Sequence, residues 1–239
     1  MGECSRAALL RDGVTGPVRV LSVHDALALY SLLHASLVRH RQLAPQQPPR
    51  LANWHQDVPW AYQLASLPSL IPHVERVLGG PCCIWASELW VKAPYSRMHV
   101  PWHQDRAFWP VPGKIGTVSA WIALTEASAE NGGLAFVPGS HRRAWPHVPM
   151  DASVGGLDAG VRAEDIDPGD VWAPTLSPGE AVLFDERTLH GSPSNSSARP
   201  RAAYSVRYTL DPEPSAPRVS GSAPVLVGWL NTDDQPPWP

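Results

Sequence analysis

The sequence predicts a mainly β fold with flanking α-helices, an antiparallel sandwich or jelly roll with its helices packed outside. Three observations carry this reading. Two apolar helical patterns occupy the first third of the chain. From residue 82 onward the apolar period switches to strand-like runs, with no helical pattern between them. The 27 prolines, spread throughout, favour strand ends and irregular loops over long helices.

The elements follow in order. Residues 12–23, from Asp12-Gly13-Val14 to Ser22-Val23, read as a turn and a short strand. Ser22 or His24-Asp25 then opens a helix, because Leu27, Leu29, Leu32, Leu33, Leu37 and Val38 recur at helical spacing up to about Arg41. Residues 42–50 hold three prolines and read as a loop. A second helix, interrupted early, is expected from Trp60 to Leu78. Leu64, Leu67, Leu70, Ile71, Val74 and Val77 supply its apolar face, and Gly79-Gly80 ends it. Alternation from Ile84 to Lys92 marks a strand, and Thr117 to Leu124 another. Asn131-Gly132-Gly133 signals a tight turn into a strand over Leu134–Val137, which stops at Pro138-Gly139-Ser140-His141. Residues 146–170, rich in Gly, Asp and Pro, read as an irregular insertion. Ser177-Pro178-Gly179 turns into a buried strand over Ala181–Phe184, and Ala202 to Leu210 closes the series. The expected organisation is one domain over residues 1–239, a mostly helical part (1–81) packed on a β part (82–239). No period of about 20–50 residues recurs, which excludes a repeat protein.

Charged residues make up 17% and the formal net charge is −3. With no long run of Lys or Arg, neither nucleic acid nor an acidic membrane surface is an expected partner. Arg97, Arg106, Arg142 and Arg143 read as a solvated rim. Cys4, Cys82 and Cys83 are too few and too close for a disulfide framework or a zinc ladder, so a reduced, cytoplasmic protein is expected. The first residues show no signal-peptide pattern, Arg6 breaks a myristoylation signal, and no stretch approaches the length of a membrane span. The sequence carries no sign of oligomeric state.

The chemistry concentrates in His103-Gln104-Asp105, His190 and Arg201. Two histidines and a carboxylate form the facial triad that suits non-heme Fe(II). On a strand, positions i and i+2 share a face, so His103 and Asp105 would aim inward together and Gln104 away from them. His190 follows the buried strand and precedes the small residues Gly191 and Ser192. The same letters, Trp-His-Gln-Asp, also occur at 54–57. That copy runs into Val58-Pro59-Trp60 and a helical pattern, so His55 and Asp57 read as a loop or helix cap.

Three facial ligands leave three positions on an octahedral ion. A bidentate 2-oxoacid takes two and O2 the third. The far carboxylate of that oxoacid needs a cation in a desolvated pocket, a task suited to the planar fork of Arg. Arg201 fits, with Arg199 and Arg207 as competitors; Arg207 shares a face with Arg201, Ala203 and Ser205. His141 reads as a turn histidine bonded to backbone. Trp85, Trp90, Trp102, Trp109 and Trp121 read mainly as core. Phe108 and Trp109, just after the metal motif, would wall a pocket for a small-molecule substrate.

Taken together, the residues resemble the phytanoyl-CoA dioxygenase (PhyH-like) family of Fe(II)/2-oxoglutarate-dependent oxygenases. The resemblance runs through Val91-Lys92-Ala93-Pro94, Trp102-His103-Gln104-Asp105, Glu130-Asn131-Gly132-Gly133-Leu134, Val137-Pro138-Gly139-Ser140-His141, Pro178-Gly179-Glu180, His190-Gly191-Ser192 and Arg201. It implies a double-stranded β-helix with Fe(II) held by His103, Asp105 and His190. It implies Arg201 as the anchor of the co-substrate 2-oxoglutarate, with Gln104, Trp121, Ser192 and Lys92 lining that pocket. It also implies O2 as a reactant, and hydroxylation or a related desaturation or ring closure. Family members that halogenate have a small residue in place of the carboxylate, whereas this chain keeps Asp105. Two other classes stay open on the residues alone: a jelly-roll metalloenzyme that uses no oxoacid, and a non-catalytic ligand-binding jelly roll.

Overall fold

The structure is a computed structural model and describes residues 4–43, 52–108, 116–151, 157–210 and 225–226. Its helices are α1 (Arg6–Asp12), α2 (Val23–Leu43), α3 (Trp54–Asp57), α4 (Pro59–Ala65) and α5 (Ile71–Leu78). Its strands are β1 (Val14–Arg19), β2 (Cys83–Lys92), β3 (Val100–His103), β4 (Thr117–Ala123), β5 (Ala135–Phe136), β6 (Val148–Pro149), β7 (Ala159–Gly160), β8 (Glu180–Asp185), β9 (His190–Ser192), β10 (Arg201–Thr209) and β11 (Val225–Leu226).

A large antiparallel sheet has the order β1-β8-β4-β10-β2-β11, and a small one the order β3-β9-β5. Strand alternation gives the large sheet two apolar faces. Along β10, Ala202, Tyr204, Val206 and Tyr208 join the helices in one core, together with Leu29, Leu33, Leu64, Leu70 and Val74. Ala203 faces the other way, into a second core between the sheets with Trp121, Phe136, Val182 and Phe184. Every residue of β10 is therefore buried. Burying each large apolar side chain contributes about 1.5–3 kcal/mol, so this central strand anchors both layers.

Several elements depart from the sequence reading, each for a local reason. The helix expected over Trp60–Leu78 is two helices, α4 and α5. Pro68 lies between them; it lacks an N–H and disfavours helical backbone at Leu67. The short α1 was not anticipated, although Ser5 caps it by accepting from the backbone N–H of Ala8 at 3.2 Å. The 146–170 insertion is not wholly irregular. It contains the β6–β7 pair, and Val161 bridges to Trp102 at the edge of the small sheet. The loop expected at 42–50 lies mostly outside the described residues, and α2 runs on to Leu43. The three cysteines are free and buried, and no described helix is long and apolar enough to cross a membrane.

Candidate metal centre

The small sheet builds the site. In the β3–β9 pairing, His103 stands directly opposite His190. Their rings lie 4.2 Å apart between centroids. β3 ends at His103, and the chain then tightens into a 3-10 turn over Asp105–Ala107. That turn, rather than a continuing strand, delivers the Asp105 carboxylate. Its Oδ1 lies 3.5 Å from His103 Nε2 and 3.9 Å from His190 Nε2. One ligand atom from each of the three residues falls within 4.8 Å of the others, and all three side chains are buried. Gly191 allows this closeness, since a Cβ there would stand 3.0 Å from the carbonyl oxygen of Val100.

The histidines are set up as ligands. His103 Nδ1 donates to the Pro101 carbonyl and His190 Nδ1 to the Thr188 carbonyl, each at 2.9 Å. Such bonds fix the tautomer and leave the Nε2 lone pair for a metal. Burial, reinforced by His103, pushes the His190 imidazole down to about 4, so it is neutral near pH 7. Burial alone would raise the Asp105 carboxyl. Arg207, then His103 and His190, outweigh it and hold the group well below the usual carboxylate range. Arg207 Nε lies 3.8 Å from Asp105 Oδ2 and its Nη2 donates to Glu88 at 3.0 Å. Two imidazoles with Nε2 turned inward and an ionised carboxylate suit a divalent transition metal.

The three ligands line one cavity with Trp90, Trp121, Phe184, Ser192, Arg201 and Arg207. Arg201, only 1% exposed, enters from β10. Two of its five N–H donors go to the carbonyls of Gly132 (2.9 Å) and Trp90 (3.0 Å). Its guanidinium carbon lies 5.6 Å from the Trp121 ring centroid. Burial lowers Arg201 to about 10 and, with Arg201 as a like charge, brings Lys92 down to about 7. Lys92 Nζ donates to Ser192 Oγ at 2.7 Å and to the Pro193 carbonyl. Among the described residues neither Arg201 nor Lys92 has a carboxylate partner, and of the two only Arg201 lines the cavity.

Gln104 is placed elsewhere. Its backbone stays extended (φ −104°, ψ 126°), so alternation holds and the side chain points away from the two ligands beside it. Its amide donates to the carbonyls of Arg143 (2.9 Å) and Arg187, and accepts from Trp145 N at 3.0 Å. It is a strut outside the cavity, not a wall of the co-substrate pocket. Lys92 also stands behind Ser192 rather than on the cavity surface. The Phe108 ring sits edge-on to His103 at 5.7 Å, and Trp109 lies outside the described residues. His141 Nε2 bonds the Leu10 carbonyl at 3.1 Å. Sequence reasoning missed His147, whose Nε2 accepts from Gln104 N at 3.0 Å, and Glu186, which clamps the Asp105 turn. Neither belongs to a spacing pattern that would have marked it.

Residues 46–203 match the family profile of phytanoyl-CoA dioxygenase (PhyH). The chain belongs to this family of Fe(II)/2-oxoglutarate-dependent oxygenases. It is 34% identical over 154 residues to ectoine dioxygenase of Halomonas elongata, a match covering 59% of this chain and 46% of that one. It is 28% identical over 167 residues to L-proline trans-4-hydroxylase of Streptomyces griseoviridis, covering 61% of each. The matches thus span about half of these relatives' lengths. Among solved structures, SnoK, described as a non-heme α-ketoglutarate-dependent carbocyclase from nogalamycin biosynthesis, superposes with a TM-score of 0.72 at 22% identity, over 95% of this chain and 96% of SnoK. That likeness shows the jelly-roll fold.

Proposed function

We propose that this protein is an Fe(II)/2-oxoglutarate-dependent dioxygenase. It would hydroxylate an unactivated C–H bond of a small metabolite, a natural-product intermediate, with release of succinate and CO2. The observation that carries this is the convergence of His103, Asp105 and His190 in one cavity with the buried Arg201. Bound Fe(II), with 2-oxoglutarate and O2, supplies the oxidative decarboxylation and the oxidant for the C–H bond. The chain supplies the rest. His103 and His190 present Nε2 in fixed tautomers, and Asp105 presents an ionised oxygen. Arg201 holds the far carboxylate of the oxoacid in a desolvated pocket, where a charge-assisted bidentate bond is strongest. Lys92, brought down to about 7, holds Ser192 in place through its hydrogen bond to Oγ. Trp121, Phe184 and Leu134 wall the cavity and exclude water, which strengthens every charge interaction inside. Phe108, edge-on to His103, sits where substrate would approach. A small metabolite agrees with relatives named for ectoine and L-proline, and a natural-product role with SnoK.

The test is succinate release by the iron-loaded enzyme, screened over candidate metabolites. A true substrate raises the rate at least tenfold over uncoupled turnover and gains one oxygen atom by mass. Iron binding without 2-oxoglutarate binding would turn the reading into a jelly-roll metalloenzyme that uses no oxoacid.

A further inference from the structure

The mechanism leaves Glu186 unused, although its carboxylate is buried at 2% exposure. It stands just past β8, four residues ahead of His190, and does not line the metal cavity. Among the described residues its hydrogen bonds go to Arg106 and Thr117, the two ends of one segment. At one end, Arg106 N donates to its backbone carbonyl at 3.0 Å, and Arg106 Nη1 to Oε1 at 2.9 Å. At the other, Thr117 Oγ1 and Thr117 N donate to Oε2 at 2.8 and 3.2 Å, and Glu186 N returns a bond to the Thr117 carbonyl at 3.3 Å. Arg106 is the residue after Asp105, and Thr117 opens β4.

The neighbouring residues reinforce the bracket. The Gln104 amide donates to the Arg187 carbonyl. Thr188 N donates to Asp185 O at 2.8 Å, and Thr188 Oγ1 to Gly13 O at 2.7 Å, which fixes the carbonyl that orients His190. Asp105 lies between two residues stitched to 186–187, and His190 leaves the same short stretch.

We infer that Glu186 is a positioning residue for the metal centre: its carboxylate and backbone lock the turn bearing Asp105 to the segment leading into His190. This rests on the metal-centre reading above. The carboxylate does what an apolar residue cannot. It satisfies the buried Thr117 N–H and counters the Arg106 guanidinium, whose side chain is one-third exposed. Loss of outer-shell partners that orient metal ligands typically costs about 10–100-fold in metal affinity. Glu186 acts one bond further out, so the lower end of that range applies.

The experiment is titration of the purified full-length protein with Co(II) alone, read by its visible absorption, with melting followed in parallel. For Glu186→Gln the Co(II) Kd rises about tenfold and the band intensities change, as one ligand loses its fixed direction. Arg106→Gln gives a smaller rise, and the double variant is no weaker than Glu186→Gln alone. A merely structural Glu186 would lower the melting temperature and leave Kd and spectrum within twofold of wild type; that result overturns the inference. If Glu186→Gln does not fold, Arg106→Gln decides on the same readout. Wild-type protein that takes up no Co(II) would instead defeat the metal-centre reading, and the inference with it.

Discussion

Trp-His-Gln-Asp occurs twice in this chain, and the two copies do different things. At 102–105 the chain is extended up to Gln104 and then tightens, so His103 and Asp105 converge beside His190. At 54–57 the same letters form the one-turn helix α3, entered from Asn53 in the left-handed region (φ 58°) and followed by Pro59 at the start of α4. In a helix, residues two apart diverge by about 200° around the axis. His55 therefore turns inward, where its Nδ1 bonds Ser87 Oγ at 2.7 Å, and no third ligand joins it and Asp57 among the described residues. A tetrapeptide does not define a metal site. Backbone conformation and a cross-strand partner do.

The largest expected effect breaks the comparison if it fails. His103→Ala abolishes Fe(II) binding in anaerobic titration, whereas His55→Ala leaves the Kd within twofold. The cost of His55→Ala appears in denaturant unfolding instead, as a loss of about 1–3 kcal/mol from the orphaned Ser87 hydroxyl and the space vacated. Equal loss of iron from both variants would mean that the copies are not distinct.

Next comes Arg201, which lines the cavity of the second copy. Arg201→Ala weakens 2-oxoglutarate binding about 10–100-fold, on the scale of a lost charged hydrogen-bond pair. The iron-dependent visible charge-transfer band should then need correspondingly more 2-oxoglutarate. Iron binding alone should change little.

A smaller effect concerns acid. Burial pushes both His55 and, in the metal-free protein, His190 down to about 4 from 6.5. Between those values the unfolded chain binds more protons than the folded one, so stability is full above pH 6.5 and is lost as the pH falls toward 4. For His55 the window is worth on the order of 3 kcal/mol. His55→Asn removes its share of the slope in urea midpoints measured from pH 7 to pH 4.5; an unchanged slope would refute the burial assignment. Smallest of all, Ser87→Ala costs roughly 1 kcal/mol and leaves iron affinity alone.

Much of this was legible beforehand. Helical spacing revealed α2, alternation revealed β2 and β4, and a turn signal before a buried run revealed β8. The inward face of Arg201, Ala203, Ser205 and Arg207 follows from the period of β10. The contrast between the two motif copies was visible in their flanks, strand-like for one and helical for the other. What escaped had tertiary causes. Gln104 was expected in the co-substrate pocket on family resemblance, but the extended backbone sends it outward to hold two other segments, 143–145 and Arg187. The break between α4 and α5 lies at Pro68, and the apolar stripe that continues across it hides the interruption. Glu186 and His147 gain their partners from residues distant in sequence, Thr117 at one and Gln104 at the other, and no local pattern announces such contacts.

The most direct trial of the central claim is a crystal soaked anaerobically in Fe(II), with anomalous difference density collected at the iron edge. The account predicts one strong peak within bonding distance of His103 Nε2, His190 Nε2 and an Asp105 oxygen, and none beside His55. A peak at His55, or none at the three residues of the small sheet, would contradict it.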